Sequence, residues 1–491
     1  MFLIMSNLIN AINQAISEND LPYQWPKKIN HELKNIIFDN KLERINLSKK
    51  PFITIDGEDA KDFDDAVYCI KQSSSFILQV AIADVAAVVS PDSEIDKEAL
   101  KRGTSIYFPN KVIPMLPEEI SNDLCSLVPN KNRNVLVCEM NFDSEGNINS
   151  YKFFEAIINS HKRFTYNQIE DASNLNTTSG INNSLKALND LTKKLIKNRV
   201  NRWALEINAT EPNIRIGNNG DVAEIFLPKR LFAHQMIEEC MVAANICAAK
   251  FIKKHYGFGV YRIHEEPEKL KIENLKKFFS LKGLASKASL KPLELINSFI
   301  KHANKDEDNK MMNILILQSL KRAQYSTKEI GHFGLQLEEY SHFTSPIRRY
   351  PDLVSHRLIK NVLQKNKQKI SQDKLEETLN ELSGLEKRAE YASRQVTQQL
   401  ICHYLKKFIG DEFSSMIVGI TEFGLFCEIE KHFISGLLHV SDLSSDRYFF
   451  DKEANMLRGR RTGKTFRIGQ KINVQLANII PEERKIVLVS K

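Results

Sequence analysis

Ten consecutive residues, Asp56-Gly57-Glu58-Asp59-Ala60-Lys61-Asp62-Phe63-Asp64-Asp65, carry six acids and one base and lie between two runs of β-type sequence. Two unit charges about 4 Å apart repel by roughly 4 kcal/mol at an effective dielectric of 20. A fold that gathers several of these carboxylates must therefore leave them in water or offer them to a cation. Most charge runs are solvated loops, and the spacing alone leaves that reading as an even alternative. A calcium loop is excluded, because its register needs an oxygen ligand and then glycine where the sequence has Ala60 and Lys61. Hard oxygen ligands in this number suit magnesium or manganese, and a pair of such ions can drive phosphodiester hydrolysis.

The rest of the chain has material to build around such a loop. At 491 residues it is long enough for two to four domains, and 42% hydrophobic with 26% charged residues places it among globular proteins. A formal net charge of +8 despite the acidic cluster means that positive charge collects elsewhere, which permits a polyanionic substrate without demanding one. The seven cysteines are scattered without metal-ligand spacing and are expected to be reduced packing residues. No signal peptide or apolar run of membrane-spanning length is visible, so the expected location is cytoplasmic.

Short β-type runs, Phe52-Ile53-Thr54-Ile55, Ala66 to Ile70 and Phe76 to Val85, surround the acidic segment, the last two predicted to form a hairpin about Ser73-Ser74-Ser75. Helical patterns dominate from about Leu185 to Lys360, with apolar stripes at Ile237 to Phe251 and Met311 to Ala323, and 371–408 reads as one or two long charged helices. After Gly410 short alternating strands with Gly turns return, the pattern of a small barrel.

Thr54 to Val67, TIDGEDAKDFDDAV, resembles the signature of the ribonuclease II and ribonuclease R family, and the motifs are worded more like ribonuclease R. The resemblance implies that Asp56, Asp62, Asp64 and Asp65 are catalytic and hold the metals, with Asp64 the most critical, while Glu58 and Asp59 stand aside. His342 to Asp352, HFTSPIRRYPD, is similar to a second hallmark of that family. It implies that Arg348 contacts the phosphate at the cleavage site, a task suited to a planar guanidinium, and that Arg349 adds positive charge along the RNA. A serine hydrolase is rejected, since Ser345 is followed by Pro and no closing Gly makes a nucleophile elbow; His342 is expected to be structural. Arg102 to Pro117 continues the resemblance, which marks Tyr107 as the residue that stacks on the 3′ base and sets product length. His234 to Asn245, HQMIEECMVAAN, implies a glutamate near the RNA, either Glu238 or Glu239.

The segments Ile420 to Phe426 and Ser435 to Ser441 resemble the OB-type RNA-binding domain first known from a ribosomal protein, which implies a stacking face of Phe423, Phe426 and His439. Gly459 to Thr465 looks like a P-loop but has three residues between its glycines where four are needed. It reads as a basic loop on the RNA backbone, and no nucleotide cofactor is expected.

The expected architecture is an α+β catalytic domain of RNB type, a mixed sheet with surrounding helices, over 49–408, followed by a small all-β OB barrel over 409–491. Residues 1–48 form an amino-terminal leader, too short for the cold-shock-type domains that the family usually carries, so RNA capture is expected to lean on the terminal barrel. The implied activity is hydrolytic, processive 3′ to 5′ degradation of single-stranded RNA to 5′-nucleoside monophosphates, in RNA turnover and processing. Magnesium is the expected cofactor, with manganese as a substitute, and a monomer free of membranes is expected. The rivals are a catalytically dead RNA-holding relative, which intact aspartates oppose, and a metal-dependent phosphodiesterase or deoxyribonuclease of another class. Gln395 and Gln399 stand where relatives tend to have acids, and the sequence assigns them no effect.

Overall fold

The two β-type runs that flank the acidic segment pair with each other inside one mixed sheet. The computed structural model describes residues 7–36, 43–171, 177–207, 212–217, 220–281, 290–304, 310–366, 370–429, 432, 434–443, 446–452 and 456–491. The sheet runs in the order Ile45–Asn46, Ile148–Thr165, Phe52–Asp56, Asp65–Gln72, Ser75–Ala83, Asn132–Phe142. Ile148–Thr165 lies antiparallel to Asn132–Phe142 through its first part and parallel to Phe52–Asp56 through its end, so the row of strands returns on itself. Gln72 pairs with Ser75, so the predicted hairpin turns through Ser73 and Ser74.

Phe76 to Val85 reads as an almost unbroken apolar run because Ser75–Ala83 is covered on both faces, and six of its nine residues in succession are buried. The helix Phe232–Tyr256 packs against it, and Ser179–Asn201 packs against Asp65–Gln72. Segment 371–408 resolves into a single helix, Gln372–Leu405, capped by Ser371 and continued by a short 3₁₀ turn over 406–408. Gly103 lies against this helix at φ +70°, where an added Cβ would come 2.8 Å from Leu385, so both backbone conformation and space demand glycine.

The terminal barrel closes in the order Glu412–Thr421, Gly424–Ile429, Ile434–His439, Lys485–Ser490, Lys471–Ile480. Alternation directs Leu425, Cys427, Leu438, Val474, Leu476 and Leu488 inward. A three-stranded sheet, Tyr448–Asp451, Met456–Gly459 and Thr465–Arg467, adds Leu457 and Phe466 to the same core.

The helix Asn7–Glu18 lies along Gln372–Leu405, and the two glutamines left unassigned by the sequence hold it there. Gln395 accepts from Asn19 Nδ2 (2.6 Å) and donates to Glu18 (2.9 Å), while Gln399 donates to Gln14 (2.9 Å). Arg484, in the barrel, pairs with Glu18 at 3.0 Å, so one helix touches both folded units. All seven cysteines are buried and free. Among the described residues no helix is long and apolar enough to cross a membrane.

Candidate active site

The acidic segment is clamped at its end, where Phe63 and Asp64 are buried, while Glu58 and Asp59 stay exposed. The main-chain N–H of Phe63 donates to Ser126 Oγ (3.0 Å), which donates in turn to the Lys61 carbonyl (2.8 Å). Leu127 N–H reaches the Phe63 carbonyl and Ala83 N–H reaches that of Asp64. On the opposite side Arg163 donates to the carbonyls of Gly57 and Glu58 and stands over the Phe63 ring. Three separate segments, 126–127, Ser75–Ala83 and Ile148–Thr165, thus fix the loop, and the acids are oriented by it.

Asp56 ends one strand and Asp65 begins its antiparallel neighbour, which sets them near each other. Asp64 is 4% exposed; its Oδ1 accepts from Ile347 N–H at 2.9 Å and its Oδ2 lies 3.4 Å from Arg348 Nε. Asp62 accepts from the Tyr107 hydroxyl at 3.2 Å. Burial, and then the charge of neighbouring aspartates against the relief from Arg348, pushes Asp56, Asp64 and Asp65 above the usual carboxylate range. Asp56 Oδ2 is buried with no hydrogen-bond partner.

The four carboxylates converge without closing into a cage: among the described residues no group of three or more Asp, Glu, His or Cys side chains could grip an ion as it stands. A partnerless buried oxygen together with carboxylates whose ionisation is opposed first by burial and then by one another fits a hard divalent cation, which would offset these penalties.

Arg348 reaches this point through a backbone zipper. Its carbonyl accepts from Ser105 N–H and from Thr104 Oγ1, both at 3.0 Å, and Tyr350 N–H donates to the Gly103 carbonyl. The segment that carries Tyr107 and the segment that carries Arg348 are therefore one assembly. The Arg348 side chain is 48% exposed, and Tyr107 is 42% exposed with its carbonyl gripped by Ser393 of the long helix. A cleft of about 780 Å³ opens at Tyr107, lined also by Ser393, Ile434 and Arg484, between the catalytic unit and the barrel.

Other expected residues stand elsewhere or turn away. Arg349 is not directed at the aspartates; it donates to buried Asp352 at 2.7 Å, and Asp352 also accepts from Ser345 N–H, so this pair shapes the turn that presents Arg348. Glu239 is buried beneath Arg199, while the more exposed Glu238 is held between Arg199 and Arg230. His342 is half-buried and bonded through Nδ1 to the Tyr325 hydroxyl, as a structural histidine would be. Phe423 and Phe426 meet edge to face at 6.2 Å, and His439 pairs with Gly424 on the adjoining strand, so the three share one outer edge of the barrel.

Tyr166 is a site residue that the sequence reading missed. Its hydroxyl is held above the usual tyrosine range by burial and then by Asp56 and Asp65, and its ring stacks on His234 at 4.1 Å. Only the register of the sheet could have found it, because Thr165, the residue before it, pairs with Asp56 in parallel strands.

Comparison with known proteins accords with this geometry. Residues 44–365 match the RNB domain and residues 406–491 the S1 RNA binding domain. A ribonuclease R of Vibrio parahaemolyticus is 37% identical over 96% of this chain and 59% of its own length; one of Buchnera aphidicola subsp. Schizaphis graminum is 39% identical over 97% and 68%. The chain thus spans about three fifths to two thirds of these relatives. Ribonuclease R of Mycoplasma genitalium, in its apo form, superposes with a TM-score of 0.93 at 32% identity, covering 99% of this chain and 78% of that one. Its complex with ribose methylated single-stranded RNA gives 0.91 at 31% identity, with the same coverage. With a match over most of its length and relatives of this identity, the chain belongs to the RNB family, its RNB catalytic domain followed by an S1 domain of OB fold, and it is similar to ribonuclease R members over nearly its whole length.

Proposed function

We propose that this chain is a hydrolytic, processive 3′ to 5′ exoribonuclease that degrades single-stranded RNA to 5′-nucleoside monophosphates and serves RNA turnover and processing. The observation that carries the reading is the meeting of Asp56, Asp62, Asp64 and Asp65 with Arg348 and Tyr107, drawn together from three distant segments of an RNB-family chain.

Asp56, Asp62, Asp64 and Asp65 would hold divalent cations, magnesium foremost. Such ions, when bound, lower the pKa of water and neutralise charge on phosphate oxygens. The residues of the chain supply the rest. Arg348, half exposed and steadied by Asp64 and Ser345, presents its guanidinium fork to the scissile phosphate. The exposed ring of Tyr107 stacks on a base and fixes how far the strand advances, a contact that tolerates any sequence. Glu238, the more exposed of the two glutamates, is the one to approach the RNA, with Arg230 beside it. Phe423, Phe426 and His439 hold the strand before it enters the cleft.

The test uses 5′-labelled single-stranded RNA with magnesium, wild type beside Asp64→Asn. A ladder of products shortening from the 3′ end in the wild type, absent in the variant, is the expected result. RNA left intact by the wild type, or cleaved equally by the variant, would remove the catalytic reading and favour an RNA-holding protein or another nuclease class.

A further inference from the structure

The three-stranded sheet beside the barrel carries a face that the stacking edge does not use. Residues 446–467 hold seven basic and three acidic residues, a net +4 that is half of the formal +8 of the whole chain. Alternation splits the sheet. Tyr448, Leu457 and Phe466 point into the barrel core, whereas Phe449, Arg458 and Arg467 are exposed on the other side. Phe449, 41% exposed, is directly opposite Arg458, and Arg458 is opposite Thr465.

The turn that joins the last two strands is built to a fixed shape. Asp446 accepts from Thr462 N–H (2.8 Å), Thr462 Oγ1 (2.6 Å), Arg461 N–H (3.1 Å) and Arg447 N–H (2.7 Å). These bonds, those from Thr462 first, hold its carboxyl well below the usual range. Gly459 is required beneath it, since a Cβ there would lie 2.4 Å from Asp446 Oδ2. One buttressed carboxylate therefore displays the exposed side chains of Arg460 and Lys464 at the edge of the Phe449–Arg458 face.

We infer that this outer face, centred on Phe449 and Arg458 with Arg460, Lys464 and Arg467 around it, is a second contact for single-stranded RNA, engaging phosphates and one base outside the catalytic cleft. The charge is complementary to a phosphate backbone, and an exposed ring among arginines offers the stacking platform that single-strand binders use. A solvated surface sheet would need neither the apolar ring nor a buttressed basic turn. The inference rests on RNA being the substrate, as proposed above, and adds a second place where the strand is held.

The experiment uses the full chain with Asp64→Asn, so that RNA survives, titrated with a fluorescent single strand of ~20 nucleotides, longer than the site of one OB fold, across a salt series. Adding Phe449→Ala, Arg458→Gln and Arg460→Gln is expected to weaken binding about tenfold and to make the slope of log affinity against log salt shallower by about 1.4. With active enzyme, the same three changes are expected to raise KM on long RNA more than KM on a ~5-nucleotide substrate. Unchanged affinity and slope overturn the inference, and so does weaker binding with an unchanged slope, which would take phosphate out of the contact. Should the triple variant fold poorly, Arg467→Gln alone is expected to make the slope shallower by about 0.7, and no change there also counts against the face. Cleavage by the wild type is scored separately: RNA degradation with no effect of these variants defeats only this inference, whereas no degradation defeats the function it rests on.

Discussion

The Tyr107 hydroxyl donates to Asp62 at 3.2 Å, which ties the ring proposed to read the 3′ base to one of the four carboxylates proposed to bind metal. The two tasks can be separated. Tyr107→Phe keeps the ring and removes the bond, so the shortest end product is expected to stay the same while the rate falls about fivefold, the scale of one net hydrogen bond. Tyr107→Ala removes the platform and is expected to lengthen that product. Gel analysis of limit digests checks both, and a longer product from the Phe variant would deny the ring its role.

Asp64 should be important for chemistry and costly for folding. It is buried, and its charge is opposed first by desolvation. Asn keeps an oxygen for Ile347 N–H while removing the buried charge. Asp64→Asn is therefore expected to lose roughly a hundredfold or more in kcat, as electrostatic contacts to a transition state do, with a urea midpoint equal to or above that of wild type in metal-free buffer. A lower midpoint would mean that the Arg348 contact outweighs the desolvation.

What the sequence disclosed here and what it withheld follow from how each contact is made. The acidic segment, the hairpin at Ser73 and the barrel alternation were legible because they are local in sequence. The proximity of Arg348 and Tyr107 was reachable only through family resemblance, for it depends on main-chain bonds between 104–105 and 348 that any residue type could make. Tyr166 was invisible because it enters the site through a parallel strand pairing. Arg349 looked like a twin of Arg348, yet Asp352 three residues on is its partner, an (i, i+3) relation that was present in the sequence and was read instead as charge along the RNA.

A buried ionic group secures the back of the site. Asp84, fully buried, is held by Lys360 at 2.7 Å and Arg44 at 2.7 Å, and Glu155 completes the set. Ala83, next to Asp84, grips the Asp64 carbonyl, so this group braces a catalytic segment. Asp84→Asn leaves two cations facing one carboxylate and is expected to cost about 3–5 kcal/mol in urea unfolding.

The same residue gives a pH signature. Burial alone would raise the Asp84 pKa, but Lys360 and Arg44 more than offset it, and the folded value lies below the ordinary one. Its contribution is therefore complete above the unfolded pKa of about 3.9 and is lost as pH falls through the lower folded value. Glu155 is shifted the other way, chiefly by burial. Comparing wild type with Asp84→Asn isolates the first effect: the stability gap between them is expected to be constant from pH 7 to about 5 and to shrink below about 4. A gap that stayed constant into strong acid would show that Asp84 is not ionised in the fold.

Gln395 takes its meaning from the helix it holds. As an amide it both accepts from Asn19 and donates to Glu18, and Glu18 receives Arg484 from the barrel as well. A glutamate at that position could accept from Asn19 but could only repel Glu18, and the barrel arginine would be shared between two carboxylates. Gln395→Glu is therefore expected to destabilise the seating of Asn7–Glu18 by about 1–2 kcal/mol and to expose the segment after Glu18 to proteases, with catalysis on short RNA little changed. Limited proteolysis with mass spectrometry reads the effect directly. Restoring protection by pairing Gln395→Glu with Glu18→Gln would establish that donor and acceptor can be exchanged across the contact, whereas equal protease resistance in wild type and Gln395→Glu would mean that the helix is held by its apolar face, Ala11, Ile12 and Ala15, alone.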